Sequence, residues 1–591
     1  MSVKTKCGKC NGYTTQCAAI FAVIVLTVLS TNQIVSHHSA VRRHTRETGQ
    51  KLQVNWSDCA PCPPESRPQS SLVQSAWTEL SRINCSVDGD YMIGCRQDTF
   101  DVFLPASFIN KYFEVYGELS PPDDHHQSQW YNFRSSYGTV HPLQQADYTP
   151  TGGFLNFHKY NVEARRAILC VTAAEGVPLA TQWDKAGYFY AISIAQFGLS
   201  HHAKAQLEPT PVTRNFGAGD ADLARWRMTA PGSSIKRVLD RVGGVDIPVL
   251  AFTSPASFRH GAPTLSLNTQ ERALSFQIKL TGPGGITVKI KTRRNTFGYV
   301  SYALVDKILE VKGDHVTYGM KIGNTRKWLW LTRDLFIDWL KGLGNPKIST
   351  NWFLEIVEVT LHGRGYLANM TVAASAHTQN LIQAADWLVN HQDRAGGWPT
   401  SVPIKTRAIE LPPNWYSAMA QGQAMSVLVR AYNLTQEAKY LEAAVGALAL
   451  FTRESTDGGV RTRFLGQLDW YEEYPTSPAT FVLNGFIFSL LGLYDVQKTA
   501  GGDGQRLAQQ LWTSGLFSLK KLLGLFDTGE GTLYDLRHVI SHEPPNRARW
   551  DYHMTHIALL QQVALVDVDP VFSRTARRWL GYCRGERTPH N

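Results

Sequence analysis

The chain has 591 residues, of which 59 are Lys or Arg and 49 are Asp or Glu, so its formal net charge is +10. This length exceeds what one hydrophobic core holds and predicts two or three domains, while the charge favours an anionic partner such as nucleic acid, acidic lipid or acidic polysaccharide. The sequence has no zinc-finger spacing, RNP-like aromatic motif or long Lys/Arg run, which argues against nucleic acid as that partner.

An apolar run near the N-terminus predicts a membrane signal anchor. It covers residues 17–35, with lysines before it and arginines after it. A cleaved signal peptide is the alternative, but the run approaches the length that a membrane-spanning helix needs. We therefore predict a cytoplasmic tail over residues 1–16, an uncleaved anchor over 17–35 and a lumenal location for the rest of the chain.

The segment after the anchor has the composition of a stem. Residues 36–79 are polar, contain Pro and Ser, and show no sustained periodicity, which is typical of a spacer between a membrane and a folded body. Cys59 and Cys62 form a CxxC within this stem. No second CxxC or His pair accompanies them, so a stem disulfide is favoured over a metal or redox site.

Two further features agree with a lumenal location. N-x-S/T triplets, which are acceptors for N-glycosylation, begin at Asn55, Asn84, Asn369 and Asn433. The remaining cysteines beyond the anchor are Cys85, Cys95, Cys170 and Cys583. An oxidising compartment permits disulfides among them, but the sequence does not give their pairing.

The folded part is predicted to begin near residue 80 with a hairpin and mixed region over 80–239. From 240 to 375 the pattern has period two: Leu274 and Phe276 alternate with polar partners, and a similar run follows a TGPGG turn. Such alternation around a Gly-rich turn indicates a β-hairpin. We therefore predict an antiparallel β-sandwich or barrel over 240–375, with one helical insertion near 334–343.

Beyond residue 378 the apolar spacing becomes helical. Segments with one apolar face, separated by Gly- or Pro-marked breaks, lie at 416–434, 438–452, 480–494, 505–523 and 553–566. Antiparallel helical hairpins of this kind, stacked in a ring, form an (α/α) toroid whose loops at one end make a groove long enough for a polymer. The predicted fold class is multidomain, β plus α: signal anchor and stem, antiparallel β-sandwich or barrel domain, and C-terminal (α/α) toroid over 376–591.

Three motifs in the helical region set tyrosines among acids and arginines: WYEEYP at 470–475, LYDLRH at 533–538 and RARWDYHMTH at 547–556. Tyr474, Tyr534 and Tyr552 can each donate a proton or, with a lowered pKa, accept one. Neighbouring arginines can hold a carboxylate. A single tyrosine is most often a packing residue. The acidic residues and arginines next to all three tyrosines nevertheless favour proton transfer on an acidic sugar.

Longer motifs in the same order resemble the heparan sulfate/heparin D-glucuronyl C5-epimerase family. They are QDRAGGWP at 392–399, NWYSAMAQGQAMS at 414–426, DWYEEYPTSPATFVLNGF at 469–486, and the YDLRH and ARWDYHMTH segments. The resemblance continues upstream through YNVEARR at 160–166, EGVPLATQW at 175–183 and GYFY at 187–190. It covers most of the chain beyond the stem.

The resemblance implies a Golgi type II membrane enzyme and homodimer that converts D-glucuronic acid to L-iduronic acid within N-sulfated heparosan or heparan sulfate, without a cofactor for the chemistry. It implies a hairpin, a β-barrel-like domain and a C-terminal (α/α) domain. The family's catalytic positions fall on Glu473, Tyr474, Tyr534 and Tyr552. Its substrate-binding positions fall on Tyr160, Arg165, Arg166, Gln182, Tyr190, Asn484, Arg537, Asn546, Arg549 and Trp550.

The resemblance implies a possible structural calcium, and the sequence departs from the family pattern at one position associated with that ion. The resemblance places an acidic calcium-associated position of the β domain on Ala368, which has no ligand oxygen in its side chain. Asp220 or Asp222 remains as an alternative ligand, but spacing alone does not establish a calcium site.

Epimerisation at C5 requires charge stabilisation and proton transfer on two faces of the sugar. The substrate already carries a carboxylate, so Arg537 and Arg549 are the candidates to offset the second charge of the enolate, with ion pairing to Asp535 and Asp551 as the alternative. We expect burial to raise the pKa of Glu473 and nearby Arg or His to lower the pKa of a tyrosine. Tyr552 is the candidate for one face and Glu473 or Tyr474 for the other.

Aromatic residues and histidines near these motifs have two interpretations each. Sugar stacking or helix packing explains Trp415, Tyr416, Trp470, Tyr471 and Trp550 equally well. A supporting role is favoured over catalysis for the histidines at 538, 542, 553 and 556. Lys405 and Arg407 are candidates to bind sulfate or carboxylate groups along the groove.

Two other functions remain open from the sequence. A polysaccharide lyase starts with the same C5 proton abstraction but then expels the C4 oxygen and leaves an unsaturated sugar. A non-catalytic glycosaminoglycan-binding protein retaining this scaffold is the second, and the intact set of acid, tyrosines and arginines argues against it.

Overall fold

The computed structural model describes residues 80–87, 91–98, 101–105, 108, 113–120, 130–137, 140, 143, 147–217, 219–255, 263–293, 295–343, 353–406, 409–541 and 543–589. The predicted tail, anchor and stem, with Asn55, Cys59 and Cys62, lie outside these residues, as do Arg407 and His542. No helix within the described ranges is both long and apolar enough to cross a membrane. The chain divides into one unit of residues 1–138 and 583–586 and another of 139–582 and 587–591.

Antiparallel strands make up most of the described part of the first unit. Its strands are β1 Ser81–Val87, β2 Tyr91–Gln97, β3 Val102–Phe103, β4 Phe113–Ser120 and β5 Trp130–Tyr137. The first three form one sheet in the order β1-β2-β3, and β4 pairs with β5 as a hairpin. A disulfide joins Cys85 of β1 to Cys95 of β2, which supplies one pairing that the sequence left open.

A small sheet and a buried helix open the second unit. The sheet contains β6 Ile168–Val171, β7 Pro178–Ala180 and β8 Tyr188–Phe189, and it is followed by helix α1 Ala191–Leu207. Residues on every side of α1 are buried, from Ala191 to Lys204. A helix that is buried on all sides lies inside a protein rather than at its surface, and α1 packs against two helices from the C-terminal part of the chain.

Two packed sheets form the β domain. Its elements are β9 Arg214–Phe216, α2 Asp220–Leu223, β10 Trp226–Arg227, β11 Ser234–Val242, β12 Val245–Thr253, β13 Thr264–Thr269, β14 Ala273–Leu280, β15 Gly285–Thr292, β16 Phe297–Ala303, β17 Leu309–Lys312, β18 His315–Gly319, β19 Leu329–Asp334, α3 Leu335–Gly342, β20 Phe353–His362 and β21 Arg364–Ala373. One sheet has the order β10-β13-β20-β15-β16-β18-β17, and the other has the order β11-β12-β21-β14-β19, with β9 paired to β21.

The core of the β domain lies between these sheets and confirms the predicted β-sandwich. Leu274, Phe276 and Ile278 of β14 are buried there with Ile286 and the other inward residues of β15, as the period-two pattern requires. The prediction of an entirely antiparallel sheet is wrong at one pair, because β16 and β18 run parallel, with β17 returning alongside β18.

The C-terminal part of the chain is helical, as predicted. Its elements are α4 His377–His391, β22 Ile404–Lys405, β23 Glu410–Leu411, α5 Ala418–Thr435, α6 Ala438–Gly446, α7 Leu448–Thr452, β24 Arg461–Phe464, β25 Leu468–Tyr471, α8 Leu483–Thr499, α9 Gly502–Leu522, α10 Trp550–Ala564 and α11 Pro570–Cys583. Helices α1, α4, α5, α8, α9 and α10 pack in a chain of neighbours: α4 and α5 on α1, α8 on α5, and α9 and α10 on α8.

Close packing of α5 on α8 fixes the position of the loop that carries the site. A Cβ added to Gly492 of α8 would lie 2.2 Å from the Gly422 carbonyl oxygen of α5, so only glycine permits this approach. Ser417 caps α5 by accepting from the Ala420 N–H. The Ala418 N–H also donates to the Glu472 carbonyl oxygen at 2.8 Å, which ties the start of α5 to the end of β25.

Candidate active site

Four residues from three segments form a cluster in the helical domain, which we call the tyrosine cluster. Glu473 and Tyr474 directly follow β25, Tyr534 lies in a loop, and Tyr552 is in the first turn of α10. Glu473 and Tyr474 are buried, with 4% and 8% of their surfaces exposed, whereas Tyr534 and Tyr552 are half-buried. The cluster therefore has an enclosed acidic end and a more open phenolic end.

Ring contacts and electrostatic interactions connect the members of the tyrosine cluster. The charge of Glu473 acts on the phenols of Tyr474, Tyr534 and Tyr552. The rings of Tyr534 and Tyr552 meet edge to face with centroids 4.8 Å apart. The ring centroids of Tyr474 and Trp415 are 5.8 Å apart. One carboxyl and three phenols, all able to carry a proton, are thus neighbours in a single site.

Burial dominates the electrostatics of the cluster. It raises the pKa of Glu473 to about 7, although hydrogen bonds with Tyr474 and Asn484 partly oppose the shift. Burial also raises the pKa of Tyr474, Tyr534 and Tyr552 above the usual value, and Glu473 raises each further. The predicted rise for Glu473 is confirmed, but the predicted lowering of a tyrosine pKa is wrong, because desolvation outweighs the positive charge of Arg549.

Glycine and asparagine side by side at the start of α8 hold the Glu473 carboxyl in place. Asn484 is buried, and its Nδ2 donates to Glu473 Oε2 at 3.3 Å. A Cβ added to Gly485 would lie 2.4 Å from the same oxygen, so the carboxyl rests directly on the glycine backbone. Asn484 is among the predicted substrate-binding residues, whereas Gly485 was not predicted, although it stands next to Asn484 in the first turn of α8.

The two candidate arginines are ion-paired, as the alternative interpretation predicted. Arg549 donates from Nε and Nη2 to the two carboxylate oxygens of Asp551 at 3.2 and 2.6 Å, and its guanidinium carbon lies 5.5 Å from the Tyr552 ring centroid. Arg537 lies 3.5 Å from Asp535 and 3.2 Å from a carboxylate oxygen of Glu543. Arg549 therefore borders the tyrosine cluster with its charge facing a catalytic candidate.

Other predicted substrate-binding residues surround the cluster to different degrees. Burial raises the pKa of Tyr190 well above the usual value, and the charges of Glu473 and Tyr552 add to this rise, which places the Tyr190 phenol beside the cluster. Tyr160 has the charge of Asp551 within electrostatic range and lies 5.2 Å from the Arg165 guanidinium carbon.

The remaining four predicted residues differ in their contact with the cluster. The Asn546 carbonyl oxygen accepts from the Tyr534 N–H at 2.7 Å, and its Nδ2 donates to Asp535 at 2.7 Å. Trp550 packs edge-on against His553. Arg166 is exposed and Gln182 is half-buried. In the part of the chain that the structure describes, no recorded contact joins Arg166 or Gln182 to the tyrosine cluster.

Three of the aromatic residues considered for sugar stacking are structural. Trp470 and Tyr471 have no exposed surface: Trp470 stacks on Phe486 with centroids 3.7 Å apart, and the Tyr471 hydroxyl donates to the Leu511 carbonyl oxygen. Trp415 is 5% exposed and donates to the Val402 carbonyl oxygen. Helix and loop packing is therefore the correct interpretation for these residues.

The histidines of α10 are supporting residues, as predicted. His553 and His556 both contact the Thr532 hydroxyl with Nδ1 at 3.0 Å, and His553 Nε2 contacts the Trp579 carbonyl oxygen. Burial lowers the pKa of His553 to about 4 and that of His556 to about 3, so both are neutral at physiological pH. They fix α10, and hence Tyr552, against the following helix.

Comparisons with known proteins match both the helical part of the chain that carries this site and the β domain. Family models described as the D-glucuronyl C5-epimerase C-terminus and the D-glucuronyl C5-epimerase beta-sandwich domain match residues 392–581 and 246–364. A protein of Caenorhabditis elegans named D-glucuronyl C5-epimerase is 34% identical over 565 residues, covering 86% of this chain and 89% of the relative. The chain belongs to the D-glucuronyl C5-epimerase family. It is accordingly an isomerase, and all four members of the tyrosine cluster lie within the matched C-terminal range.

Two more distant similarities accompany this family assignment. The uncharacterized protein MJ1128 of Methanocaldococcus jannaschii is 29% identical over 175 residues, which is 29% of this chain and 53% of that protein. A rhamnosidase from Klebsiella oxytoca with rhamnose bound is similar at 11% identity and a TM-score of 0.18, covering 64% of this chain and 70% of that chain. Neither adds to the assignment as a D-glucuronyl C5-epimerase.

The residues around Ala368 do not fit the calcium site that the epimerase resemblance implied. Ala368 packs with Val242 and Val249 in a small apolar cluster, whereas calcium needs six to eight oxygen ligands. Asp222 accepts from the Gly217 N–H at 3.1 Å and lies 3.9 Å from Arg225. Across the described ranges, no group of three or more His, Cys, Asp or Glu side chains is placed to hold a metal ion.

Proposed function

We propose that this epimerase acts on D-glucuronic acid within an N-sulfated heparosan or heparan sulfate chain and converts it to L-iduronic acid. The observation that carries the proposal is the tyrosine cluster: a carboxyl with a pKa of about 7 grouped with the phenols of Tyr474, Tyr534 and Tyr552, the last two in edge-to-face ring contact. A polyanionic substrate agrees with the net charge of +10. The following steps use only side chains of this chain.

Glu473 is the base of the proposed reaction. A group with a pKa near the operating pH is ionised often enough to accept a proton and basic enough to remove one. The three phenols have pKa values raised by burial, so they stay protonated and serve as donors. Glu473, directly or through Tyr474, removes the C5 proton, and the electrons of the C5–H bond move into an enolate of the C6 carboxylate.

Tyr552 is the acid that completes the inversion at C5. It delivers its phenolic proton to the opposite face of C5, which forms the new C5–H bond and leaves a phenolate. Proton transfer along Tyr474 and Tyr534, together with exchange between the half-buried Tyr552 phenol and water, then restores the starting protonation of Glu473 and Tyr552, so protons balance over one turnover. Tyr190 and Asn484 border the Glu473 end of this path, and both are proposed to contact the substrate.

Arg549 stabilises the charge that develops in this step. The enolate of a carboxylate carries two negative charges, and a fixed guanidinium in a partly dry site lowers the energy of that state. The two hydrogen bonds to Asp551 hold the Arg549 guanidinium in one orientation beside Tyr552. We propose that Arg537, Asn546, Trp550, Tyr160 and Arg165 bind neighbouring parts of the polymer, with Arg166 and Gln182 at the outer end of the groove.

The cellular setting is proposed from the sequence and two structural observations. We propose a type II Golgi protein with a signal anchor over 17–35, a lumenal (α/α) toroid, and a homodimer. The Cys85–Cys95 disulfide supports an oxidising compartment. Asn369 is exposed on β21, which suits N-glycosylation. A mass decrease after enzymatic deglycosylation of the secreted portion tests the lumenal location, and sedimentation of the same sample tests the dimer.

The test of the activity uses the purified portion 76–591 and N-sulfated glucuronate polymer. We expect iduronate to appear in the depolymerised product, as measured by NMR. Tyr552→Phe should abolish this product while polymer binding is retained. Tyr440→Phe is the matched control, because Tyr440 is fully buried in the same domain and its hydroxyl donates to Asp386 at 2.8 Å, away from the cluster. Equal activity of wild type and Tyr552→Phe would contradict the proposal.

A further inference from the structure

Glu472 carries a second buried carboxyl directly beside the catalytic candidate Glu473. Its side chain has no exposed surface, and burial raises its pKa to about 7. Its backbone is fixed on both sides, because its N–H donates to the Val460 carbonyl oxygen and its carbonyl oxygen accepts from Ala418. The two carboxyls have different neighbours, because Glu473 accepts from Asn484 whereas Glu472 accepts from Thr480 and Phe481.

The partners of Glu472 lie in the turn that leads into α8. The Thr480 hydroxyl donates to Glu472 Oε2 at 2.7 Å, and the Phe481 N–H donates to Oε1 at 3.0 Å and to Oε2 at 3.2 Å. Phe481 has a φ of 55°, in the left-handed region that a bulky residue adopts only when its surroundings hold it there. The Glu472 carboxyl therefore fixes an unfavourable backbone conformation.

The same turn holds the backbone of both tyrosine segments. The Thr480 carbonyl oxygen accepts from the Leu536 N–H at 3.2 Å, and the Leu483 N–H donates to the Tyr534 carbonyl oxygen at 3.1 Å. The Thr480 hydroxyl also lies 3.4 Å from the Tyr474 carbonyl oxygen. One carboxyl thus connects the loop of Tyr474, the loop of Tyr534 and the first turn of α8.

We infer that Glu472 is a positioning residue of the epimerase, which holds Tyr474, Tyr534 and Asn484 at their distances from Glu473 without touching the substrate itself. The inference rests on the proposed function. Burying a carboxyl carries a cost in stability, and a displacement of about 1 Å at a catalytic group lowers a rate by about 100-fold. The geometry, rather than the acidity, of Glu472 is the property that the reaction requires.

Three substitutions at Glu472 separate geometry from acidity. Glu472→Gln keeps the shape: its amide oxygen accepts from Phe481 N–H, and its amide N–H donates to the Thr480 hydroxyl. Glu472→Asp withdraws the carboxyl from the turn, and Glu472→Ala removes it. We expect kcat within about threefold of wild type for the Gln variant, and a fall of about 100-fold for the Asp and Ala variants at nearly unchanged KM.

The matched control is Asp495→Asn. Asp495 is also fully buried in the helical domain, where it pairs with Arg430 at 2.8 Å, far along α8 from Asn484. This variant should lose stability but keep the kcat of the wild type per folded molecule. Thr480→Val, which removes only the hydroxyl, should lower kcat about tenfold and decides the question if the Ala and Asp variants do not fold.

Each outcome of this series has a defined meaning. A kcat per folded molecule that is unchanged in the Ala, Asp and Thr480→Val variants would overturn the inference and leave Glu472 with a purely structural role. An equal loss in the Gln variant would also overturn it, because the charge would then be the required property. An inactive wild type with intact variants of normal stability would contradict the proposed function rather than the role of Glu472.

Discussion

Replacing Glu473 by Gln tests how far the buried, ionisable carboxyl of Glu473 lowers the free energy of unfolding. The pKa of Glu473 is raised from 4.5 to about 7 by burial. Between these two pH values the folded protein holds a proton on Glu473 that the unfolded chain releases. The contribution of Glu473 to the free energy of unfolding is therefore fully present below about pH 4.5 and is lost as the pH rises to about 7. A shift of this size corresponds to about 3 kcal/mol at most, since one pKa unit is about 1.4 kcal/mol.

We therefore expect Glu473→Gln to be inactive and, at high pH, more stable than the wild type. The amide has the same shape and does not ionise, so the gain in the free energy of unfolding should be about 2.5 kcal/mol larger at about pH 8 than at about pH 5. Urea denaturation followed by far-ultraviolet circular dichroism measures the difference for the helical transition. Glu472 has a similarly raised pKa and remains in both proteins, so its contribution cancels in the comparison.

One result would refute this reasoning directly. If the stability difference between Glu473→Gln and the wild type is the same at both pH values, Glu473 is not a desolvated carboxyl in the folded protein. The assignment of Glu473 as the base would then lose its physical basis, even if the variant were inactive.

Three further predictions concern catalysis. The wild-type kcat/KM should rise with pH and level off above about pH 7, because ionised Glu473 is the reactive form; a profile flat through this range would contradict the assignment. Gly485→Ala should lower kcat by about 100-fold, because the new Cβ would lie 2.4 Å from Glu473 Oε2; Gly501→Ala, at a position with open space, is the control in the same kinetic assay. Arg549→Lys should lose about as much kcat/KM as Arg549→Gln, because an ammonium does not reproduce the planar contact with Asp551; recovery of activity by Lys would contradict this.

The sequence predicted the elements whose pattern is local. The alternation in β14 and β15 and the apolar helical segments of α5, α8 and α9 correspond to the observed strands and helices. Helix α1 was not predicted by itself, because it lies in the segment 80–239 that was predicted only as a hairpin and mixed region. Its place among helices that follow the β domain depends on long-range packing, which periodicity does not record.

For the site, too, the sequence identified the residues, whereas their burial and pKa shifts required the structure. The motifs identified Glu473 and the three tyrosines, but the direction of the tyrosine pKa shifts was wrong because the degree of desolvation is a property of the folded surroundings. Trp470 and Tyr471 stand in the same motif as Glu473 and are nevertheless core residues. The family resemblance assigned Glu473 a catalytic position but gave no role to Glu472, since only the turn at Thr480 and Phe481 shows what its carboxyl contacts.

The most direct measurement of the central claim is hydrogen exchange at C5 in deuterated water. The portion 76–591 is incubated with N-sulfated glucuronate polymer, deuterium at C5 is measured by NMR, and ultraviolet absorbance is followed for an unsaturated product. We predict deuterium at C5 of iduronate with no rise in absorbance. Rising absorbance with shortening of the polymer would show a lyase, and polymer binding with neither signal would show a glycosaminoglycan-binding protein; either result would contradict the account.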